Sequence, residues 1–486
     1  MTQNSQNLDL VSIAKLFKAY DLRGTYPLLS QDIYYWMGQG LVKTVFEPEN
    51  LGTTLAIFRD HRYTSPIFYK ALCNGITDAG GTVIPLDLGT TDLMYAATQC
   101  LKVPGAIVTA SHNPKDDNGC KVVKGGSTML GLNSGLDKVR DFVIEKLESG
   151  ESYELMQNFE EDTVAKTKVI EYYEQKLHLI GSIDETVTKL SQRTPKFKVV
   201  VDCGNGMGGY IMNSIKKAYG TSIEFVDMYF ELDGTYPNHP ADPSNPANIV
   251  ELRARVVSEQ ADLGVAFDGD ADRAYFVDET GEFMEGNFVV SEFAKQFLKE
   301  IKTKNRTDFN PAIVYSQPQS RCQPVTILEN DGIPIQSKQG HIFIKASMAK
   351  YNAIYGGEAS GHHYYGDFGF MDGGALTMAK MLQILTEKNK KPSELIASYK
   401  KLYFLSGEQN FRLADDANFD EIKAKVKAEF ANATFSEMDG LTVYYHDWKV
   451  NCRMSNTEPL LRINIETIGS NQIQAKLTQI KGVLGL

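Results

Sequence analysis

The amino-acid sequence predicts an α/β fold divided among several domains. Short apolar runs rich in β-branched residues recur along the chain. Each is followed by a Gly-rich or polar loop and then by apolar residues at helical spacing. Strands that alternate with helices in this way form mostly parallel, buried sheets. The 486 residues are too many for one ordinary core, and length alone predicts about three or four domains.

The strand and helix candidates alternate over most of the chain. The apolar runs that predict strands are 55–58, 106–108, 198–201, 263–267 and 353–355. Helical spacing is clearest in two sets, Phe293, Phe297, Leu298 and Ile301, and Met378, Met381, Leu382 and Leu385. Such folds bind ligands in the loops that follow the carboxyl ends of the strands. Those loops are therefore where functional residues are expected.

The last eighty or so residues have a different pattern. Segments 442–445 and 460–466 read as strands on either side of a loop, and Ile473, Leu477 and Ile480 follow at helical spacing. This pattern predicts a smaller α+β domain. Breaks in the pattern divide the chain into predicted domains 1–165, 166–282, 283–402 and 403–486.

Composition and charge exclude several classes of protein. The net charge of -11 disfavours nucleic acid as a partner, because duplex binding needs a basic surface. No apolar stretch approaches the roughly 20 residues that span a bilayer, and residues 1–9 are polar, without the apolar core of a signal peptide. A cytoplasmic protein with no membrane partner is expected. The six cysteines are scattered, so neither structural zinc nor a disulfide framework is predicted.

The segment Thr109-Ala110-Ser111-His112-Asn113-Pro114 presents a hydroxyl directly after an apolar run. Ser111 could carry a phosphoryl group. The alternative is an ordinary turn or a helix N-cap, since Ser, Asn and Pro are typical of both. Lys121 follows shortly afterwards and could steady a phosphate, move a proton or remain a solvated charge.

The segment Asp268-Gly269-Asp270-Ala271-Asp272-Arg273 places three carboxylates at alternate positions after an apolar run. Oxygen ligands of this kind suit a hard cation such as magnesium. The alternative is an EF-hand calcium loop. It is disfavoured because Arg273 stands where that loop has Gly and because the flanks are strand-like rather than helical. Arg273 itself suits a phosphate oxygen or a sugar hydroxyl, because its planar fork donates in fixed directions.

Two later loops carry further polar side chains. The first loop is Gly356-Gly357-Glu358-Ala359-Ser360-Gly361-His362-His363. Its Glu358 and Ser360 could bind vicinal hydroxyls of a sugar. The paired histidines His362 and His363 are a weak candidate for a zinc site. The second loop is Arg453-Met454-Ser455-Asn456-Thr457-Glu458-Pro459, and Arg462 follows it. It is either a phosphate-binding loop or a polar hairpin. Near the N-terminus, Tyr20 and Arg23 offer further donors.

Taken together and in this order, these loops resemble those of the α-D-phosphohexomutase family, and within it the phosphomannomutase/phosphoglucomutase group. The resemblance runs from Phe17 to Pro459. It implies a heart-shaped, four-domain architecture: three related α/β domains with mixed sheets and a smaller C-terminal α+β domain. It also implies magnesium-dependent interconversion of hexose 1-phosphate and hexose 6-phosphate, with mannose, glucose or both as the sugar. The reaction would pass through a phosphoserine and a hexose 1,6-bisphosphate, which also serves as activator.

The resemblance implies a role for each candidate residue. Ser111 is similar to the phosphoserine, and its phosphate oxygen would bind magnesium together with Asp268, Asp270 and Asp272. Ser111, Lys121 and Arg23 are the predicted catalytic residues. The predicted substrate-binding residues are Tyr20, Arg273, His341, Glu358, Ser360, His362, Arg453, Ser455, Asn456, Thr457 and Arg462. The partner would be a phosphorylated hexose, bound by a monomer or a homodimer.

The sequence departs from the family pattern at two places, and alternatives stay open. His61 stands in Arg59-Asp60-His61-Arg62 where Gly or Ala is commoner, and Tyr315-Ser316-Gln317-Pro318 lacks the expected basic sugar contact. The choice of sugar is therefore not predicted. A phosphoglucosamine mutase of the same family is one alternative reading. A non-catalytic sugar-phosphate or calcium-binding protein is the other.

Overall fold

The computed structural model describes residues 9–126, 128–414, 418–454 and 460–485. The chain divides into two compact units. The first contains Met1–Phe283 and Ser360–Pro392, and the second contains Met284–Ala359 and Ser393–Leu486.

The first unit begins with a six-stranded mixed sheet in the order β1-β5-β4-β2-β3, with β6 paired to β5. Its strands are β1 (Leu22–Thr25), β2 (Thr54–Arg59), β3 (Thr82–Leu88), β4 (Gly105–Val108), β5 (Asp117–Gly125) and β6 (Thr128–Met129). Its helices are α1 (Leu10–Ala14), α2 (Gln31–Gly40, continued by a π-helical segment to Phe46), α3 (Ser65–Asp78), α4 (Thr91–Cys100) and α5 (Leu136–Ser149). Strand β4 is buried along its whole length, as its apolar sequence predicts.

The second sheet has the order β10-β9-β7-β8. Its strands are β7 (Phe197–Asp202), β8 (Ile223–Met228), β9 (Leu263–Phe267) and β10 (Ala274–Asp278). The helices of this part are α6 (Thr163–Gly181), α7 (Ile183–Leu190), α8 (Gly208–Tyr219) and α9 (Val250–Ser258). Strand β7 runs parallel to β8 and β9, whereas β9 and β10 form an antiparallel hairpin. Helix α6 starts where the Asp162 carboxylate accepts a hydrogen bond from the backbone N–H of Ala165.

The second unit contains a parallel arrangement of three strands, with β11 between β12 and β13. The strands are β11 (Asn310–Ser316), β12 (Ile333–Ser337) and β13 (Ala353–Gly357), and the helices are α10 (Gly286–Thr303), α11 (Cys322–Glu329) and α12 (His341–Tyr351). Directly after β13 the chain enters the first unit. There it forms an antiparallel pair, β14 (His363–Tyr365) and β15 (Met371–Asp372), and then α13 (Gly374–Lys388), which packs against α6 and α7.

After α14 (Pro392–Leu402), the C-terminal part forms an antiparallel sheet in the order β16-β20-β19-β18-β17. Its strands are β16 (Tyr403–Arg412), β17 (Thr434–Ser436), β18 (Leu441–Tyr444), β19 (Trp448–Met454) and β20 (Leu460–Ile468). Helices α15 (Phe419–Glu429) and α16 (Ile473–Leu484) pack with residues of this sheet in a core of their own. The predicted smaller α+β domain is confirmed.

The predicted fold class is confirmed: three α/β parts with mixed sheets precede a sheet-rich C-terminal part. The predicted domain limits at 165, 282 and 402 stay a prediction. Among the described residues, no helix is long and apolar enough to cross a membrane.

Candidate active site

Ser111 lies in the loop after β4, with a backbone φ of 53° that non-glycine residues rarely adopt. Its side chain is nearly buried, and three polar groups face its Oγ. The hydroxyl donates to Asp268 Oδ2 at 3.0 Å, His112 Nδ1 lies at 3.3 Å and Arg273 Nη2 at 3.5 Å. The predicted nucleophile therefore contacts the predicted acidic loop directly.

The acidic loop joins β9 to β10, so both of its flanks are strands, and the EF-hand alternative fails on its requirement for helices. Asp268, Asp270 and Asp272 are all buried, and one oxygen of each lies within 4.8 Å of the others. Gly269 makes this approach possible. A Cβ at this position would lie 2.2 Å from the carbonyl oxygen of Ser111.

Two cations offset the carboxylate charges. Lys121 Nζ lies 2.7 Å from Oδ2 of Asp270 and 2.7 Å from Oδ2 of Asp272, and Arg273 Nε donates to Asp268 Oδ2 at 2.8 Å. Burial alone would lower the pKa of Lys121, but the two carboxylates outweigh burial and raise that pKa above its ordinary value. Lys121 therefore places a positive charge between two of the three carboxylates, and its catalytic role stays a prediction.

The acidic cluster fits a divalent cation. Within the described part of the chain, Oδ1 of Asp270 and Oδ1 of Asp272 are buried and have no hydrogen-bond partner. Leaving a buried carboxylate oxygen without a partner is costly. A hard cation held by Asp268, Asp270 and Asp272 would satisfy both oxygens.

Arg23 reaches the serine loop from β1. Its Nη1 donates to Asn113 Oδ1 at 2.9 Å and to the carbonyl oxygen of Ala110 at 3.3 Å, while Asp21 binds its Nη2 at 2.5 Å. Tyr20 is half-buried in the turn just before β1. Arg23 thus joins the cluster around Ser111, and Tyr20 lies on the segment that carries it.

Two residues of the predicted sugar loop belong to the same unit. The hydroxyl of Tyr275 donates to the carbonyl oxygen of Ser360 at 2.5 Å, and His362 Nδ1 lies 2.8 Å from Asp372 Oδ2. Burial alone would lower the pKa of His362, but the charges of Asp272 and Asp372 outweigh it and raise that pKa.

In the second unit, Glu358 lies close to His341. The Glu358 Oε1 atom accepts a hydrogen bond of 2.9 Å from the backbone N–H of Gly340, and α12 begins at His341. The structure thus brings together the two loops that the sequence analysis linked to sugar binding.

Arg453 and Arg462 lie opposite each other on β19 and β20. Both bind one carboxylate, that of Glu408, at 2.6 Å from Arg453 Nη2 and 3.2 Å from Arg462 Nη1. The other residues predicted to bind this phosphate, Ser455, Asn456 and Thr457, lie outside the described residues. The structure therefore pairs the two arginines and adds an acid that the sequence analysis did not identify.

Comparison with known proteins identifies the family. Family models described as phosphoglucomutase/phosphomannomutase α/β/α domains I, II and III match residues 14–142, 178–281 and 285–402. A protein of Vibrio cholerae named phosphomannomutase is 33% identical over 464 residues, which cover 93% of this chain and 94% of that protein. The chain belongs to the phosphoglucomutase/phosphomannomutase family. It is accordingly an isomerase that acts as a hexose phosphate mutase.

Solved structures support the same assignment. A phosphoglucomutase/phosphomannomutase family protein of Burkholderia thailandensis superposes with a TM-score of 0.78 at 27% identity, over 97% of this chain and 98% of that one. The N-acetylphosphoglucosamine mutase of Aspergillus fumigatus, solved with GlcNAc-6P and magnesium, gives 0.58 at 14% identity, over 99% of both chains. At that identity the second comparison shows the shared fold only.

Arg62 is the most important residue of this phosphohexomutase site that the sequence analysis did not identify. It is fully buried and donates to four carbonyl oxygens of the serine loop: Ser111 at 2.8 Å, Asn113 at 2.7 Å, Pro114 at 2.6 Å and Asp117 at 2.9 Å. The available signal was an arginine two residues after Asp60, in Arg59-Asp60-His61-Arg62. Its partners are about 50 residues away in sequence, however, and only the fold brings them together.

The sequence analysis also did not identify two further residues of this site, Thr91 and His112. Thr91, at the start of α4, donates to Asp270 Oδ2 at 2.5 Å. His112 is the immediate neighbour of Ser111, and the charge of Arg273, together with burial, holds the pKa of His112 well below its ordinary value. A neutral imidazole therefore faces the serine hydroxyl.

The two sequence departures have structural explanations. The ring of His61 packs edge-on against Tyr236, with ring centres 5.5 Å apart, so it contributes packing. In the other segment, Gln317 Oε1 accepts a hydrogen bond of 2.6 Å from the backbone N–H of Asp439. Lys449 on β19 donates to the carbonyl oxygens of Gln317, Pro318 and Gln319. That segment binds the C-terminal sheet.

Proposed function

We propose that the protein interconverts hexose 1-phosphate and hexose 6-phosphate, with mannose, glucose or both as the sugar. Phosphorylated Ser111 would transfer its phosphoryl group to the free end of the substrate and form a hexose 1,6-bisphosphate. The bisphosphate would then turn over, and its other phosphate would return to Ser111. Family membership supports mutase activity, and the residues around Ser111 support this route.

The observation that carries the proposal is the contact between Ser111 and the acidic loop. The serine hydroxyl lies 3.0 Å from Asp268 Oδ2, and Arg273 Nη2 lies 3.5 Å from the same hydroxyl. A protein that only bound sugar phosphates would need neither a nucleophile nor a carboxylate cluster beside it. Positioning and charge stabilisation of this kind provide most of the rate enhancement in phosphoryl transfer.

In each half of the cycle one P–O bond forms and one breaks. When the phosphoryl group leaves Ser111, the bond from phosphorus to Oγ breaks and a bond from phosphorus to the sugar oxygen forms. The sugar hydroxyl gives up its proton in this step, and Oγ gains one. The Nδ1 atom of the neutral His112 lies 3.3 Å from Oγ, within reach to give that proton and to take it back, whereas Asp268 stays with the cation. Arg273 and Arg23 place positive charge next to the serine loop, where the transferring oxygens carry negative charge.

Asp268, Asp270 and Asp272 would hold magnesium, joined by an oxygen of the phosphoserine. Bound there, the ion would offset negative charge on the transferring group. The buried Oδ1 atoms of Asp270 and Asp272 support this assignment. Lys121 and Thr91 would orient the carboxylates by binding their Oδ2 atoms.

The remaining predicted residues would bind the substrate. The sugar hydroxyls would bind Glu358, Ser360, His362 and His341. Tyr20 would make a further contact with the substrate. Arg453 and Arg462, with Ser455, Asn456 and Thr457, would bind the phosphate that is not reacting. Because either phosphate can take that place, the same residues would serve both substrates.

One experiment tests the phosphoserine route. Ser111→Ala should abolish turnover of mannose 1-phosphate and glucose 1-phosphate in a coupled assay supplied with magnesium and glucose 1,6-bisphosphate. Intact mass spectrometry should find one phosphate on the wild type after incubation with the bisphosphate and none on the variant. The fold should persist, because losing a polar side chain in a turn costs at most about 2 kcal/mol. Turnover by the variant at the wild-type rate would refute the role of Ser111.

The same assay separates the alternatives. Preferred turnover of glucosamine 1-phosphate would identify a phosphoglucosamine mutase. No turnover of any of the three sugars, with binding retained, would favour a non-catalytic sugar-phosphate protein.

A further inference from the structure

Three charged side chains share one face of the C-terminal sheet. Arg453 on β19 stands directly opposite Arg462 on β20, and Glu408 projects from β16 on the other side of β20. Neighbouring strand residues such as Cys452 and Leu461 are buried in the core of this sheet. Because side chains alternate along a strand, the two arginines project from the opposite face.

The position of Glu408 depends on an irregularity in β16. The register between β16 and β20 shifts between Leu405 and Glu408, and Gly407 there has a φ of 64°. A bulge of this kind redirects the side chain that follows it. The Glu408 carboxylate then bridges the two guanidinium groups, 2.6 Å from Arg453 Nη2 and 3.2 Å from Arg462 Nη1.

This bridge relieves an unfavourable arrangement. Like charges directly opposite each other on neighbouring strands destabilise a sheet, and a carboxylate between them removes the repulsion. The Glu408 side chain is 32% exposed, so solvent and dissolved anions reach the bridge. Within the described residues, Nε of Arg453 is buried without a hydrogen-bond partner. Among those residues, the planar fork of that arginine is therefore only partly used.

We propose that Glu408 is an internal competitor for the phosphate that binds Arg453 and Arg462. Its carboxylate occupies the two guanidinium groups in the free enzyme, and the substrate phosphate displaces it. A guanidinium recognises a carboxylate and a phosphate through the same paired N–H donors. The phosphate carries more charge and more acceptor oxygens, so it replaces the carboxylate and also satisfies Nε of Arg453.

This inference rests on the proposed function of the two arginines and adds a reason for weak binding. A mutase that turns its bisphosphate over must release the non-reacting phosphate once in each cycle. A carboxylate ready to return to the arginines lowers the cost of that release. It should therefore weaken phosphate binding equally for 1-phosphate and 6-phosphate substrates.

Glu408→Gln tests the competition, because glutamine keeps the shape of the side chain and removes its charge. Inorganic phosphate should bind the variant about tenfold more tightly at low salt, as expected when one negative charge is removed within a few ångströms of a dianion. The Michaelis constants for glucose 1-phosphate and glucose 6-phosphate should fall together. Titration calorimetry with inorganic phosphate gives the first measurement and the coupled assay the second.

Two controls make the result specific. Glu437→Gln removes the same charge just after β17 of this sheet, but Glu437 pairs with Lys423 and Lys427, so phosphate affinity should not change. In an Arg453→Ala background, Glu408→Gln should give no gain in phosphate affinity. Unchanged or weaker phosphate binding by the Glu408→Gln single variant would overturn the inference, even if turnover were normal. Tighter phosphate binding without hexose phosphate turnover would instead support the competition and count against the proposed mutase route.

Discussion

Ser111 holds a backbone conformation that is unfavourable for a residue with a side chain, and Arg62 stabilises it. A left-handed conformation costs roughly 1–2 kcal/mol in a non-glycine residue. Arg62 offsets this cost by binding the carbonyl oxygen of Ser111 and three others in the same loop. Asp60 balances its charge from 3.3 Å away. The result is a serine hydroxyl fixed in direction before any substrate arrives.

Arg62→Lys should therefore impair turnover more than binding. Lysine keeps the charge but presents a single ammonium group, which cannot bind four carbonyl oxygens in a fixed plane. A displacement of about 1 Å at a reacting group costs about a hundredfold in rate. We expect kcat to fall by about that factor while KM changes less than about threefold. Steady-state kinetics on glucose 1-phosphate measures both.

Arg59→Lys provides the matched control for this change. Arg59 lies three residues earlier and pairs with Asp87 through Nε and Nη2, away from the serine loop. Its replacement should leave kcat within about twofold of the wild type. If Arg62→Lys turned over substrate at the wild-type rate, Ser111 would not depend on this arginine for its position.

At the scale of single elements, the hairpin formed by β9 and β10 presents the acidic cluster. Five residue pairs bring the strands together, from Ala274 opposite Phe267 to Asp278 opposite Leu263. The short loop between them therefore has to curl, and Ala271 adopts a φ of 61° there. The curl turns three alternating carboxylates toward one point, which is where a cation would bind.

Asp270→Asn should weaken magnesium binding by at least roughly tenfold, because cation affinity depends on the number of charged ligands. Titration calorimetry with magnesium on the enzyme freed of metal by chelation measures the effect. Glu282→Gln is the matched control, since Glu282 follows the same hairpin but is exposed and pairs with Arg253. Equal magnesium affinity in the Asp270→Asn variant and the wild type would remove Asp270 from the ligand set.

The sequence predicts this element better than it predicts the contacts around it. The apolar run 263–267 is followed by alternating aspartates, so strand and loop can both be identified locally, and β9 has those limits. The contacts made by Lys121 and Thr91 with Asp270 span 149 and 179 residues. No local pattern encodes a distance of that kind. Glu408 was not predicted for a related reason. Its position depends on a β-bulge, which no local sequence pattern indicates.

At the scale of the whole molecule, the alternation of strands and helices predicts the fold class, but it does not predict which helices pack together. Helix α13 packs against α6 and α7, in the same unit as Ser111. The helical spacing of Met378, Met381, Leu382 and Leu385 predicts an apolar face but not the helices that cover it. Sequence periodicity thus identifies buried faces without identifying their partners.

A buried acid is one of the contacts that join the third α/β part of the second unit to the C-terminal sheet. Glu466 on β20 is 1% exposed and accepts hydrogen bonds from the hydroxyl of Ser320 and from the backbone N–H of Arg321, at 3.0 Å in the latter case. It also binds the Arg321 side chain at 2.9 Å. Lys449 is buried nearby, and burial lowers its pKa to about 8. The junction is polar, charged and largely shielded from water.

Glu466→Gln should therefore uncouple the C-terminal sheet from its neighbour. Removing one partner of a buried ion pair leaves the other charge unpaired, and we expect a loss of about 2–3 kcal/mol. The chain contains two tryptophans, Trp36 and Trp448, so a Trp36→Phe background reports on the C-terminal sheet alone. In urea, Trp448 fluorescence should change at a lower concentration in the Glu466→Gln variant than in its parent, ahead of the main loss of helical circular dichroism. Glu437→Gln, at an exposed ion pair between α15 and the residue after β17, should change the stability of this part by less than about 0.5 kcal/mol. A Trp448 transition that stayed in place in the Glu466→Gln variant would show that apolar contacts, rather than this acid, join the two parts of the unit.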